Sequence, residues 1–362
     1  MKKPILCLTV VSVILFSTFS FAKVNKGFTK IVRDVPAYSS ERQKQFFQKY
    51  LEATSKNETL LPNLGYLYYY GYGTAEDRTT AVNIYKRAAS QDDDMGMYLL
   101  GKYYIEDMND TQQGLSYLIR SADKGNYLAA EFIAKMYEEG KYVKADNYYS
   151  LEYYHMASKL GSSSARFVIA QQLLQSGDES NYPKGMEYLR AAADLSNIDA
   201  CKTLAKLYIT ENKVVAMDSK KHVVYTMCAA DEGDIESIKT LADYYSRGVI
   251  VMIDNSKATK YYNDYIDIVQ KPKTAEEADM FYKAGVVQSS INNFRKAGDY
   301  FKISARAGNA DSAIALARMF EMGYGVKQDF PMALTYYKMA QKNGKSTSED
   351  IMRIQRMSGG AK

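Results

Sequence analysis

The chain of 362 residues has no tryptophan, two histidines (His155 and His222), three cysteines and a charge surplus of only five, from 47 basic and 42 acidic residues. Each scarcity removes a class of function. Two histidines give a His-based zinc site too few ligands and a histidine-relay hydrolase almost nothing to build on. No Cys-x-x-Cys occurs, so a redox dithiol is excluded. A surplus of five, taken over the whole chain, is too small to argue for nucleic acid or an anionic membrane. Past the first 22 residues no apolar run approaches the length that spans a bilayer. With 46% hydrophobic and 25% charged residues, the chain has the composition of an ordinary folded protein. What it has in excess is tyrosine, 33 of them.

Met1 to Ala22 reads as a cleavable secretory signal. Lys2 and Lys3 lead an apolar stretch from Ile5 to Phe16, and Ser20-Phe21-Ala22 supplies a small-x-small cut before Lys23. The apolar stretch is short for a membrane anchor and is broken by Ser12, Ser17 and Thr18. No small residue precedes Cys7 at a cleavage position, which argues against a lipoprotein. A periplasmic or secreted, soluble mature chain is therefore expected, and its two remaining cysteines, Cys201 and Cys228, would meet an oxidising compartment.

The rest is a repeat array with a period in the middle thirties. One anchor reads apolar, small, any, apolar, aromatic, then glycine three places on: Leu64-Gly65-Tyr66-Leu67-Tyr68 to Gly71 is the first clear copy. Further copies run from Ile133 to Gly140, Leu241 to Gly248 and Leu316 to Gly323, with weaker ones at Leu100, Leu204 and Ala278 and a remnant near Ala170. The second anchor is a tyrosine pair followed by alanine, as in Tyr153-Tyr154 before Ala157 and Tyr336-Tyr337 before Ala340. Apolar spacing of three and four within each half predicts two helices. The intervening glycine supplies the left-handed backbone that stops the first helix. Asp77, Asp146, Asp254 and Asp329, each six residues past it, are placed to cap the second. The expected fold is all-α, a right-handed α-solenoid of about eight antiparallel helix pairs over residues 58–344. Before it come a polar lead and a capping helix over 23–57, with Phe46, Phe47, Tyr50 and Leu51 facing inward. After it, residues 345–362 form a capping helix with a Ser346/Glu349 capping box and a frayed tail.

The leucine-glycine-x-leucine-tyrosine block, the Gly-x-Gly turn, the aspartate and the tyrosine-tyrosine-x-x-alanine block together resemble the Sel-one-like repeat (SLR) family, a relative of the tetratricopeptide repeats. Tyr324-Gly325-Val326-Lys327-Gln328-Asp329 before Met332-Ala333 is the cleanest stretch. The resemblance implies a protein-binding scaffold: assembling envelope complexes, or meeting host proteins, in an exported bacterial member.

Most tyrosines belong to the anchors, filling space between helices with the hydroxyl left at the edge. Tyr66, Tyr69, Tyr70 and Tyr72 exceed that need and make the first repeat a candidate partner surface. The position two after each leading apolar residue is expected on the concave face; it reads Tyr66, Lys102, Lys135, Gln172, Lys206, Asp243, Met280 and Arg318, four of eight basic. That suits either a solvated lysine face or a groove for an acidic or carboxylate-ended peptide. Cys201 and Cys228 fall at facing ends of one antiparallel pair, as two buried thiols or a disulfide. The cysteine-rich secreted SLR proteins, which staple the two helices of a unit, imply the disulfide.

Chemistry finds little purchase. Ser121-Ala122-Asp123-Lys124 is the only Ser-x-x-Lys, without the Ser-Asp-Asn or Lys-Thr-Gly of penicillin-recognising enzymes. Asp92-Asp93-Asp94 reads as a solvated turn, and Val249 to Ile253 as an apolar loop, either tucked over its own repeat or exposed for docking. The sequence thus predicts a scaffold that binds a protein or peptide, with no catalytic residue, metal, cofactor or nucleic acid. The alternative is a small-molecule binder or hydrolase acting on peptidoglycan or β-lactams, with Ser121 as the residue to test.

Overall fold

The computed structural model describes residue 28 and residues 31–359; the expected leader over residues 1–22 lies outside the described residues. Among the described residues every regular element is helical. The chain divides into two compact units, one ending at Leu195 and one beginning at Ser196.

Unit 1 holds α1 (Ser40–Thr54) and four helix pairs: α2 (Leu61–Tyr70) with α3 (Arg78–Ser90), α4 (Asp94–Glu106) with α5 (Thr111–Asp123), α6 (Tyr127–Glu139) with α7 (Asn147–Lys159), and α8 (Ser163–Gln175) with α9 (Tyr182–Ala193). Unit 2 holds four more: α10 (Ile198–Ile209) with α11 (Ser219–Asp231), α12 (Ile235–Arg247) with α13 (Asn255–Val269), α14 (Ala275–Ser290) with α15 (Phe294–Arg306), and α16 (Ala310–Met322) with α17 (Phe330–Lys342). It closes with α18 (Ser348–Gly359). The first helix of each pair is called A and the second B.

Within a pair the sequence dictates the join. Gly71 and Gly323 end their A helices at φ of 67° and 75°, a conformation that costs glycine nothing. Asp77, Asp146, Asp254 and Asp329 each accept backbone N–H groups from the first turn of the B helix. The same aspartates donate their own N–H to the carbonyl of the A-helix aromatic: Tyr68, Tyr137, Tyr245 and Phe320, each at 2.9 Å. Asp218 repeats both contacts in the fifth pair, capping Lys220 and Lys221 and donating to Tyr208 O at 2.8 Å. Close approach of the helices rests on small residues. A Cβ on Gly65 or Gly285 would lie 2.5 or 2.4 Å from a ring carbon of Tyr85 or Phe301.

The tyrosine pair has two jobs. Its first member stacks nearly parallel on the aromatic of the A helix: Tyr137–Tyr153 (8°), Tyr245–Tyr261 (7°) and Phe320–Tyr336 (9°) have centroids 5.7–6.3 Å apart. Its second member is buried, and here the structure corrects the expectation of hydroxyls at the edge. Tyr154 donates to Glu138 Oε2 at 2.5 Å, Tyr262 to Asp243 Oδ1 at 3.2 Å and Tyr337 to Glu321 Oε2 at 2.7 Å. A buried phenol without a partner would cost a few kcal/mol, about the worth of the ring's burial. The acidic partner on the A helix removes that penalty.

The ends depart from the sequence reading. Residues 23–37 are not simply a polar lead, because Phe28, Ile31 and Val35 are buried against the first pair with Tyr66 and Leu67. On α1 Phe47 is buried and Phe46 and Tyr50 half-buried, but Leu51 is exposed. Helix α18 begins at Ser348 rather than after Ser346. Thr347, 1% exposed, precedes it and donates its hydroxyl to Tyr337 O at 2.8 Å. Its Arg353 reaches Glu321.

Candidate functional site

A cavity of about 300 Å³ opens in unit 1, framed by α2, α4, Phe28 and Val32. Tyr66, Tyr69 and Tyr70 from α2 line it with Tyr98, Lys102 and Tyr103 from α4. The α-helical period explains the set: Tyr66, Tyr69 and Tyr70 share a face by three- and four-residue spacing, as do Tyr98 and Lys102. The rings touch one another. Tyr66 and Tyr70 lie 4.6 Å apart between centroids, Tyr69 and Tyr70 4.9 Å, and Tyr70 stacks on Tyr72 at 5.7 Å. Phe28 closes one side edge-on to Tyr66 at 5.2 Å.

Charges frame these rings. Tyr69 donates to Asp107 Oδ2 at 2.5 Å, and Arg78 Nη1 donates to Asp107 Oδ1 at 2.8 Å while its guanidinium lies 4.9 Å from the Tyr69 ring centre. Lys102 sits 3.7 Å from Glu106 and above the rings of Tyr98 and Phe132. Burial pushes the Tyr66, Tyr69, Tyr70 and Tyr98 phenols above their usual pKa, and for Tyr69 the bond to Asp107 adds to it. These hydroxyls therefore remain neutral donors at any physiological pH. The wall is apolar in area, with phenols and one ammonium that can orient a ligand.

Of the residues singled out from sequence, Tyr66, Tyr69, Tyr70 and Lys102 come together here. Lys135 on α6 is exposed and stands outside the cavity lining, and Lys206 and Arg318 are exposed on α10 and α16 of unit 2. The assumption that one repeat position faces outward along the array does not hold: Tyr66 and Met280 are 9% and 2% exposed, and Asp243 accepts from Tyr262 and Lys283. Sequence reasoning missed Phe28, Val32, Tyr98, Tyr103, Glu106 and Asp107. Phe28, Ile31, Val32 and Val35 do carry a three-and-four spacing that marks a buried face.

The remaining candidates resolve structurally. Ser121 is fully buried and donates to Asp94 O at 2.6 Å, while Lys124 pairs with Asp92 in solvent. Ser304 makes the same bond to Ala278 O, so Ser121 is an inter-helix lock that no β-lactam can reach. His222 is buried between Ala205 O at 2.8 Å and Tyr244 Oη at 2.9 Å, and His155 lies beside Tyr188. Asp93 and Asp94 are not a solvated turn: Asp93 caps α4 through Gly96 N, and Asp94 is 8% exposed. Cys201 and Cys228 form a disulfide, with Cα atoms 5.9 Å apart, joining α10 to α11. Val249, Ile250, Met252 and Ile253 are exposed, while Val251 packs on the core. The described residues contain no His/Cys/Asp/Glu cluster that could hold a metal, and no helix among them is long and apolar enough to cross a membrane.

Comparison with known proteins agrees with this architecture. The Sel1 repeat matches at residues 63–93, 94–126, 128–162, 163–197, 241–263, 279–309 and 310–345. It passes over the disulfide-bonded fifth pair, which the structure nonetheless contains. The chitin synthase regulator SKT5 of Saccharomyces cerevisiae is 33% identical over 122 residues, 30% of this chain and 17% of that protein, so the chain spans under a fifth of this relative's length. A protective antigen of uropathogenic Escherichia coli with an SLR fold superposes with a TM-score of 0.51 at 23% identity, covering 88% of this chain and 67% of that one. A Sel1 repeat protein from Oxalobacter formigenes gives 0.50 at 22%, covering 64% and 100%. These two likenesses speak to the fold. Sel1 repeat proteins generally act as scaffolds for protein–protein interaction and are typically not enzymes. Seven matched repeats cover more than half of the residues: the chain belongs to the Sel1 repeat family.

Proposed function

We propose that this chain is an exported bacterial scaffold that binds a protein or peptide partner in the tyrosine-walled cavity of unit 1, within an envelope complex or at a host surface. The observation that carries the reading is the convergence of Tyr66, Tyr69, Tyr70 and Lys102 on one half-open cavity beside paired carboxylates. Large rigid rings with hydroxyl tips are the side chains that dominate binding hot spots. The ammonium of Lys102 suits a carboxylate on the incoming segment. Export is supported by the leader pattern of residues 1–22 and fits the Cys201–Cys228 disulfide.

The test is crosslinking capture from envelope extract and host lysate with residues 23–362 as bait, beside a bait carrying Tyr70→Ala and Lys102→Glu. A partner held by the first and lost by the second, with unchanged circular dichroism, supports the cavity. Equal capture by both moves the site elsewhere. A volume of about 300 Å³ also meets the lower bound of small-molecule pockets. If neither bait captures protein while native mass spectrometry shows a retained small ligand, that second reading takes over.

A further inference from the structure

The small net charge of the whole chain conceals a segregation within unit 2. Antiparallel helices packed in sequence bring every A-to-B turn to one edge and every B-to-A turn to the opposite edge. Take each turn from the last residue of one helix to the third of the next. The A-to-B edge (209–221, 247–257, 290–296 and 322–332) then carries eight basic and four acidic residues. Three of those four acids, Asp218, Asp254 and Asp329, are helix caps whose carboxylates accept backbone N–H groups. The B-to-A edge (231–237, 269–277, 306–312 and 342–350) carries five basic and nine acidic residues, but Asp231, Asp234, Glu236, Glu276 and Asp350 pair with Lys260, Lys202, Lys239 and Arg353 on the adjoining helices, which offsets the excess.

Exposed apolar side chains divide the same way. Met217, Met252, Ile253, Ile291, Met322 and Tyr324 stand on the A-to-B edge, with Met252 90% exposed. None of the large apolar side chains exposed in unit 2 falls within the B-to-A turns; Ile268 comes nearest, one residue before them. Lys220, Arg247 and Lys327, all exposed, lie among the apolar tips.

We propose that the A-to-B edge of unit 2 docks on an anionic lipid surface. The apolar tips enter the headgroup boundary and the flanking cations meet lipid phosphates. Protruding apolar tips mixed with an excess of cations, which the opposite edge lacks, complement a flat negative surface. The surface lies in unit 2, so its failure would leave the cavity of unit 1 untouched.

Residues 23–362, which exclude the apolar leader, would be floated with vesicles of phosphatidylethanolamine and phosphatidylglycerol, and separately with phosphatidylcholine alone. Binding is expected only to the anionic vesicles, falling at least tenfold in 0.5 M salt. Met252→Glu with Ile253→Glu, and separately Lys220→Glu with Lys327→Glu, should each lower partition about tenfold while circular dichroism stays unchanged. Equal binding to both vesicle types, or anionic binding that ignores both variants, would overturn the proposal. Absence of flotation would also overturn it and leave protein docking as the reading of this edge.

Discussion

Arg353 closes on Glu321. From the terminal helix its Nε and Nη2 donate to the two carboxylate oxygens at 3.1 and 3.0 Å, while Tyr337 donates to one of them at 2.7 Å. Glu321 is 7% exposed, so its charge depends on these donors. The bond to Glu321, with a second to Asp350, holds the guanidinium above its ordinary pKa. Arg353→Met should lower stability by about 2 kcal/mol in urea unfolding, below the usual cost of orphaning a buried charge because Arg353 is half exposed. Adding Glu321→Gln should recover most of the loss. A double variant as weak as the single would mean that the carboxylate is not the cause.

The disulfide closes a separation of 27 residues within the fifth pair. Loop-closure entropy puts its contribution at about 3.5 kcal/mol. Cys201→Ala with Cys228→Ala should show a loss of that order in guanidinium unfolding, and dithiothreitol should reproduce it in the native sequence. Thiol titration of the unreduced mature protein should find no free cysteine.

Asp94 predicts a pH dependence of opposite sign to the usual carboxylate. Burial, then the neighbouring Asp93, raises its pKa to about 6. Between pH 4 and 6 the folded state therefore holds a proton that the unfolded state has lost, and stability falls as pH rises through that window. The cost above pH 6 is at most about 3 kcal/mol. Asp94→Asn should thus gain in Tm at pH 7 relative to the parent and lose that advantage at pH 4. A gain that is the same at both would refute the titration.

Ser121→Ala should cost about 1 kcal/mol, the worth of its bond to Asp94 O. A fluorescent penicillin should label neither parent nor variant, because the hydroxyl is enclosed. Labelling of the parent lost in the variant would revive the enzyme reading.

What recurs was legible, and what occurs once was not. The capping aspartates, stop glycines and tyrosine pairs announce themselves because each structural need is repeated at one register. Four cavity residues were legible as a tyrosine surplus and a basic position. Phe28 carries the spacing of a buried face with Ile31, Val32 and Val35, but its partner Tyr66 stands 38 residues away, so the sequence declares the face without saying what it covers. Arg353 and Glu321 hid altogether: a lone charged pair across 32 residues has no periodic signature. Ser121 reads from sequence as structural for want of the companion motifs, and the short motif itself carries no information on burial; Ser304 makes the same lock without the lysine.

The bond from the capping aspartate to the aromatic carbonyl frees the turn from its own length. Tyr104 to Asp110 is closed by the same contact as Tyr208 to Asp218, both at 2.8 Å, although one spans six residues and the other ten. Each hairpin is latched at its neck, so the number of residues beyond the latch can vary, while a few of them, such as Val251 and Val326, still pack back on the helices. Insertion or grafting at the exposed tip positions, such as Met252 and Ile253, can proceed turn by turn, and a lineage can revise what its edge touches while the stack beneath stays in register.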